Sequence, residues 1–176
     1  MMEYYSRPEK YHSQNREKLC YSQAVSAFRS AHFLYLKAQR KAKWRRFICC
    51  LFRRNYTLPA LSQVLKVNHF QIISRVGIQP VALNCITGSE SRSQDFDRRF
   101  QPLNEKNRER WMRIAGICLT GQSLPAVDLI QVGGAYFVRD GHHRVSVMRA
   151  LGYHFVDANV TVWQMAENNK ECCAIF

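Results

Sequence analysis

A chain of 176 residues, 47% hydrophobic and 22% charged, can bury the core of one ordinary domain but not of two, and is too apolar to be disordered throughout. Its 26 Lys+Arg against 13 Asp+Glu give a formal charge of +13, unevenly placed: residues 1–60 hold 13 basic and 3 acidic side chains, residues 61–176 hold 13 and 10. No secretory apolar stretch follows Met1, and the longest uncharged apolar run of the basic third, residues 47–52, cannot span a bilayer, so a soluble, cytoplasmic protein is expected.

Residues 1–20 are polar without an apolar period and are expected to form a mobile lead-in. From residue 22 to about 52 the chain lacks Gly and Pro and favours helix, with Val25, Phe28, Ala31, Leu34 and Ala38 recurring at helical spacing. Asn55-Tyr56-Thr57 breaks that pattern. Thr57 would cap a short second helix, with Pro59 in its first turn and Leu58, Leu61, Val64 and Leu65 on one face. Residues 74–77 read as a linker. Gly77 is the expected boundary between a basic helical segment (21–76) and a globular domain (77–165), with residues 166–176 as a tail.

Beyond Gly77 the grammar changes. Residues 81–86 read as a strand, 87–103 as a polar loop, and 104–119 as a helix with Trp111, Ile114, Ala115, Cys118 and Leu119 on one face, stopped by Gly121. Residues 127–132 and 136–139 read as strands joined by a Gly133-Gly134 hairpin turn. Asp140-Gly141 turns into a helix over 142–151 that Gly152 stops, and residues 156–163 form a closing strand. The predicted order, β-α-β-β-α-β, is an α+β domain with a mixed sheet and flanking helices, preceded by the basic helical segment.

The seven cysteines are odd in number, include two adjacent pairs and contain no C-x-x-C, so they read as reduced thiols rather than a disulfide frame or a metal site. The terminal Cys173-Ala174-Ile175-Phe176 formally matches a prenylation box, but no polybasic stretch lies just upstream and four-residue matches are common by chance.

The most informative segment is YFVRDGHHRVSVMRALG, residues 136–152. A strand ends at Asp140, Gly141 permits a sharp reversal, and a helix opens with His142, His143 and Arg144 in its first turn. Free N–H groups and the positive end of the dipole make such a helix start an anion site, to which Arg and His add donors. Asp140 could hold a histidine tautomer, cap the helix or meet a cation accompanying phosphate. The alternative is a plain cap with solvated histidines. His142 and His143 alone make a poor metal site, because neighbours on a helix point about 100° apart and no third ligand is spaced to join them.

This segment, with LPAVDLIQVGGA before it, resembles the N-terminal domain of chromosome-partitioning ParB proteins and the related sulfiredoxins and free-serine kinases. QPVALNCITGSESRSQDFDRRFQP resembles the first motif of that superfamily. More narrowly, the two signatures resemble small bacterial ParB-like proteins of unassigned function. The resemblance covers about residues 79–163. It implies that Gly141, His143 and Arg144 hold nucleotide phosphates and that Arg92 faces the same cleft. His142 stands where sulfiredoxins place their reactive cysteine, so sulfiredoxin chemistry is not expected. ParB proteins read DNA with a helix-turn-helix domain after this fold, and none follows in this sequence, so specific centromere binding is not expected either. Glu90 is the nearest match to the acidic base of the serine kinases.

Glu90, Asp95, Asp97 and Asp140 could gather near the phosphate turn, as Mg²⁺-assisted phosphoryl transfer would require. Alternatively Asp95 and Asp97 pair with Arg92, Arg98 and Arg99 in a structural network around Phe96 and Phe100. Residues 37–54, KAQRKAKWRRFICCLFRR, hold eight Lys/Arg and no acid. Lys41, Lys43, Arg45 and Arg46 are candidates for binding a polyanion, nucleic acid ahead of membrane, or are simply a solvated face. Two functions therefore compete. One is a nucleotide-binding, ParB-like module, assisted on nucleic acid by the basic helix. The other is a small phosphotransferase or nucleotidase using a nucleoside triphosphate with Mg²⁺, with Asp140 or Glu90 as the working carboxylate. A third reading keeps the fold for partner recognition alone.

Overall fold

The structure, a computed structural model, describes residues 8–53, 55–65 and 70–165. The first seven residues and the tail from residue 166, with its Cys-Ala-Ile-Phe terminus, lie outside the described residues. A long helix α1 (Pro8–Leu51) and a short α2 (Leu61–Leu65) precede β1 (Phe70–Ala82), β2 (Ile86–Ser89), α3 (Arg108–Leu119), β3 (Val127–Val132), β4 (Ala135–Asp140), α4 (His142–Leu151) and β5 (Phe155–Met165). The five strands form one mixed sheet in the order β1-β5-β3-β4-β2. β1/β5 and β3/β4 are antiparallel; β3/β5 and β2/β4 are parallel. This is the expected α+β class. Among the described residues no helix is long and apolar enough to cross a membrane.

Several local expectations change. α1 begins at Pro8 rather than near residue 22: Pro suits a first helical position, and nothing after it breaks a helix until Leu51. Residues 74–77, expected as a linker, lie inside β1, paired to β5 through register shifts between Ile72 and Ser74 and between Arg75 and Gly77. The bulge absorbs the glycine. The strand expected over 81–86 is the end of β1, a 3-10 turn (Leu83–Cys85) and the start of β2. Thr57 does not cap α2. It bridges Asp97, and α2 starts four residues later. The hairpin and the glycine stops of α3 and α4 lie where the sequence puts them: Val132 pairs with Ala135 across Gly133-Gly134, with φ 58° at Gly133.

The main core lies on one face of the sheet, where Val127, Leu129, Val138 and Val160 meet Phe96, Phe100 and Val145 of α4. On the other face α2 sets Leu61 against Ile130, Val132 and Phe137. A third cluster joins α1 to α3 and α4 through Ala31, Tyr35, Ala38, Trp111, Ala115 and Val147. The buried residues of α1 are therefore Ala31, Tyr35, Ala38, Gln39 and Ala42; the alanines are small, and Tyr35 meets Trp111 edge-on at 5.5 Å. Phe28, expected on that face, is 62% exposed.

Candidate functional site

Two motifs far apart in sequence converge at the start of α4. Gly141 caps the helix at φ 96°, in the left-handed region that favours glycine. A Cβ there would lie 2.6 Å from Val127 Cγ1, so the turn also needs glycine for its close approach to β3. Asp140 leaves β4 at this point, and His142 and His143 open the helix; both histidines are buried.

His142 ties the turn to the loop after β2. Its Nε2 lies 2.7 Å from the Ser89 hydroxyl, and Ser89 Oγ accepts the Arg92 N–H at 2.8 Å. Phe96 stacks on the His142 ring at 6.1 Å and meets His143 edge-on at 5.3 Å. Burial, reinforced by the Arg92 cation, pushes the His142 pKa down to about 4, against the weaker pulls of Asp140 and the Val138 carbonyl. Its imidazole is neutral at physiological pH. His142 is a strut between the two motifs.

His143 is different. It is 3% exposed, yet neither Nδ1 nor Nε2 has a hydrogen-bond partner among the described residues. Burial and the cations Arg110 and Arg92 push its pKa down to about 4. It lines a cavity of about 30 Å³ together with Arg92, Arg110, Ile114 and the Asp140-to-Arg144 turn. A buried polar side chain with no bond is costly, on the order of 1–3 kcal/mol, unless something fills its place. Two guanidinium groups beside it favour an anion.

Of the residues expected at this site, Arg92, Asp140, Gly141, His142, His143 and Arg144 are brought together. The Arg144 guanidinium, expected to grip phosphate, is occupied: it donates to Pro125 O at 2.8 Å, Ala126 O at 2.6 Å and Asp140 Oδ2 at 2.5 Å. It braces the turn against the start of β3 and leaves its backbone N–H to the site. Glu90 does not line the cavity; it pairs with Arg139 at 3.2 Å. Asp97 is 1% exposed and structural: it bonds Arg45 and accepts the Arg99 and Gln101 N–H groups at 2.9 and 2.8 Å. Its side-chain partner is thus Arg45 of α1 rather than Arg98 or Arg99. Asp95 faces Arg92 at 4.0 Å.

Sequence reasoning missed Arg110 and Ser89. Arg110 and Ile114 sit four residues apart on α3, one helical face, and both line the cavity. That spacing was a usable signal; nothing in the sequence marks Ser89. The four cations expected to bind a polyanion separate. Lys41 and Arg45 line an open groove between α1 and the sheet, Lys43 faces Glu105 at 3.8 Å, and Arg46 lies over the Tyr56 ring at 5.4 Å.

No protein-family model and no curated protein matches the chain. Among solved structures, sulfiredoxin from Arabidopsis thaliana is similar at 22% identity, covering 49% of this chain and 86% of that one, with a TM-score of 0.35.

Proposed function

We propose that the protein binds a phosphate-bearing ligand, a nucleotide, at the Gly141 turn. The observation that carries this reading is His143: buried, unbonded at both ring nitrogens among the described residues, and set with Arg92, Arg110 and the open end of α4 around one cavity. A neutral imidazole keeps one N–H to donate, the helix start supplies backbone N–H groups, and the two arginines supply charge. With only about 30 Å³ available, one or two phosphate oxygens enter the cavity and the rest of the ligand stays at its mouth.

The donor set also fits Mg²⁺ travelling with a nucleoside triphosphate. Asp140 Oδ2 is taken by Arg144, but its side chain is 60% exposed and Oδ1 faces no protein donor among the described residues. Mg²⁺ is usually held by phosphates, waters and one or two carboxylates. Binding is favoured over turnover because both candidate bases, Asp140 and Glu90, are already in ion pairs with arginine.

Calorimetry with ATP, ADP and inorganic phosphate, each with and without Mg²⁺, tests the reading. Arg92→Ala and Arg110→Ala should each weaken binding by about 1–3 kcal/mol, the value of a hydrogen bond to a charged group, with little effect on stability. No binding by the wild-type chain, or unchanged affinity in both variants, sinks it.

A further inference from the structure

Away from the α4 turn, the C-terminal half of α1 and the sheet enclose an open groove of about 1170 Å³ that shares no lining residue with the His143 cavity. This exceeds the ~300–1,000 Å³ of ordinary small-ligand pockets. Its walls come from α1, the turn between β1 and β2, the loop around Arg98 and Arg99, and the α4–β5 connection. Among the described residues no Asp or Glu lines it.

Its cations are mostly uncompensated. Arg45 is neutralised by Asp97. Arg149 donates to the carbonyls of Leu83 and Ile86, lies over the Phe100 ring and feels the Asp97 carboxylate, so it is already engaged. The side chains of Lys41, Arg98 and Arg99 have no anionic partner among the described residues. Arg98 and Arg99 also sit on a pinned loop: the Arg98 N–H donates to Tyr56 O at 3.0 Å, and the Phe100 N–H to Asp97 O at 2.8 Å. The same groove is lined by three aromatic side chains open to water, Trp44 at 66%, Phe155 at 59% and Tyr153 at 49% exposure.

We propose that this groove binds a single-stranded polynucleotide, its phosphates on Lys41, Arg98 and Arg99 and its bases against Trp44, Tyr153 and Phe155. Cations that follow a backbone, interleaved with flat aromatic faces, are the chemistry of sequence-tolerant single-strand binding. The concavity separates this occupant from two others that the same charge would attract. A bilayer is flat and meets only the rim. A duplex is stiff and keeps its bases stacked inside, so it can use the cations and not the aromatics.

The test measures binding of the full chain to labelled oligothymidylate and oligouridylate of about 20 nucleotides, to a random duplex of the same length, and to phosphatidylglycerol/phosphatidylcholine vesicles. Single strands should bind at least about tenfold more tightly than duplex, because stacking on aromatic groups adds to the phosphate contacts. The tighter of the two single strands names the polymer. Replacing Lys41, Arg98 and Arg99 by Gln should flatten the log–log salt slope by about 2, at ~0.7 for each phosphate no longer neutralised. Trp44→Ala, an exposed change, should cost about 5- to 150-fold in affinity, the loss of one stacked base. Equal affinity for duplex, binding to vesicles alone, or no effect of either variant overturns the proposal. So does loss of binding in Arg92→Ala rather than in the groove variants, which would move the site to the α4 turn.

Discussion

Substituting alanine at the two ends of α4 separates backbone strain from close packing. Gly141 and Gly152 cap the same helix at similar angles, φ 96° and 84°. A left-handed alanine costs about 1–2 kcal/mol in either place, and the gain from a stiffer unfolded chain, about 0.4–1 kcal/mol, is common to both. The surroundings differ. At Gly152 an added Cβ has nothing within 4 Å among the described residues; at Gly141 it lies 2.6 Å from Val127 Cγ1, 2.9 Å from Val127 Cβ and 3.0 Å from Arg144 Nε. Val127 is fully buried in the main core, so it cannot step aside cheaply. Overpacking there adds about 1–3 kcal/mol. Gly152→Ala should thus cost about 1 kcal/mol and Gly141→Ala about 2–4 kcal/mol. Urea unfolding followed by circular dichroism reads both, provided the m-values agree. Equal losses would refute the claim that the turn is packed against β3.

Asp97→Ala should destabilise by about 3–5 kcal/mol, because it strands Arg45 and frees two loop N–H groups, whereas Asp97→Asn, which keeps an acceptor, should lose less; urea midpoints rank them. Trp111→Phe leaves the buried Ser146 hydroxyl without its indole donor and should cost about 1–3 kcal/mol in the same assay. The histidines set a pH dependence. His142 and His143 have folded values lowered to about 4 from 6.5, so between those values the unfolded chain binds more protons. Their contribution is complete above about pH 6.5 and is lost as the pH falls toward 4, by up to about 1.4 kcal/mol per unit for each. Urea midpoints that stay level from neutral pH to pH 5 would contradict this burial.

The sheet domain was readable where local chemistry acts alone. Gly133-Gly134 with strands on either side marks a hairpin, and Gly141 and Gly152 bracket α4 in sequence as they do in space. Tertiary pairing overrode the rest. Residues 74–77 read as a break because Gly77 and polar neighbours have low strand propensity, and only the ladder to β5 makes them strand. Phe28 lost to Tyr35 for the buried face of α1 because the position of Trp111 on α3, invisible from α1, sets which face is covered. At the site, the residues around Gly141 were legible because a helix start has known electrostatics. What the sequence could not supply was the direction of each side chain: the Arg144 guanidinium turns back to β3, Glu90 turns to Arg139, and Arg110 reaches the cavity from α3. The cationic groove joins five separated segments, so no single window of sequence contains it.

The phosphate-binding reading stands on the Gly141 turn, and amide and imidazole resonances followed by NMR during an ATP titration test it most directly. The account predicts saturable shifts of the His142, His143 and Arg144 amides and of the His143 ring, lost in Arg92→Ala and Arg110→Ala. Saturable shifts elsewhere with these signals unmoved would contradict it.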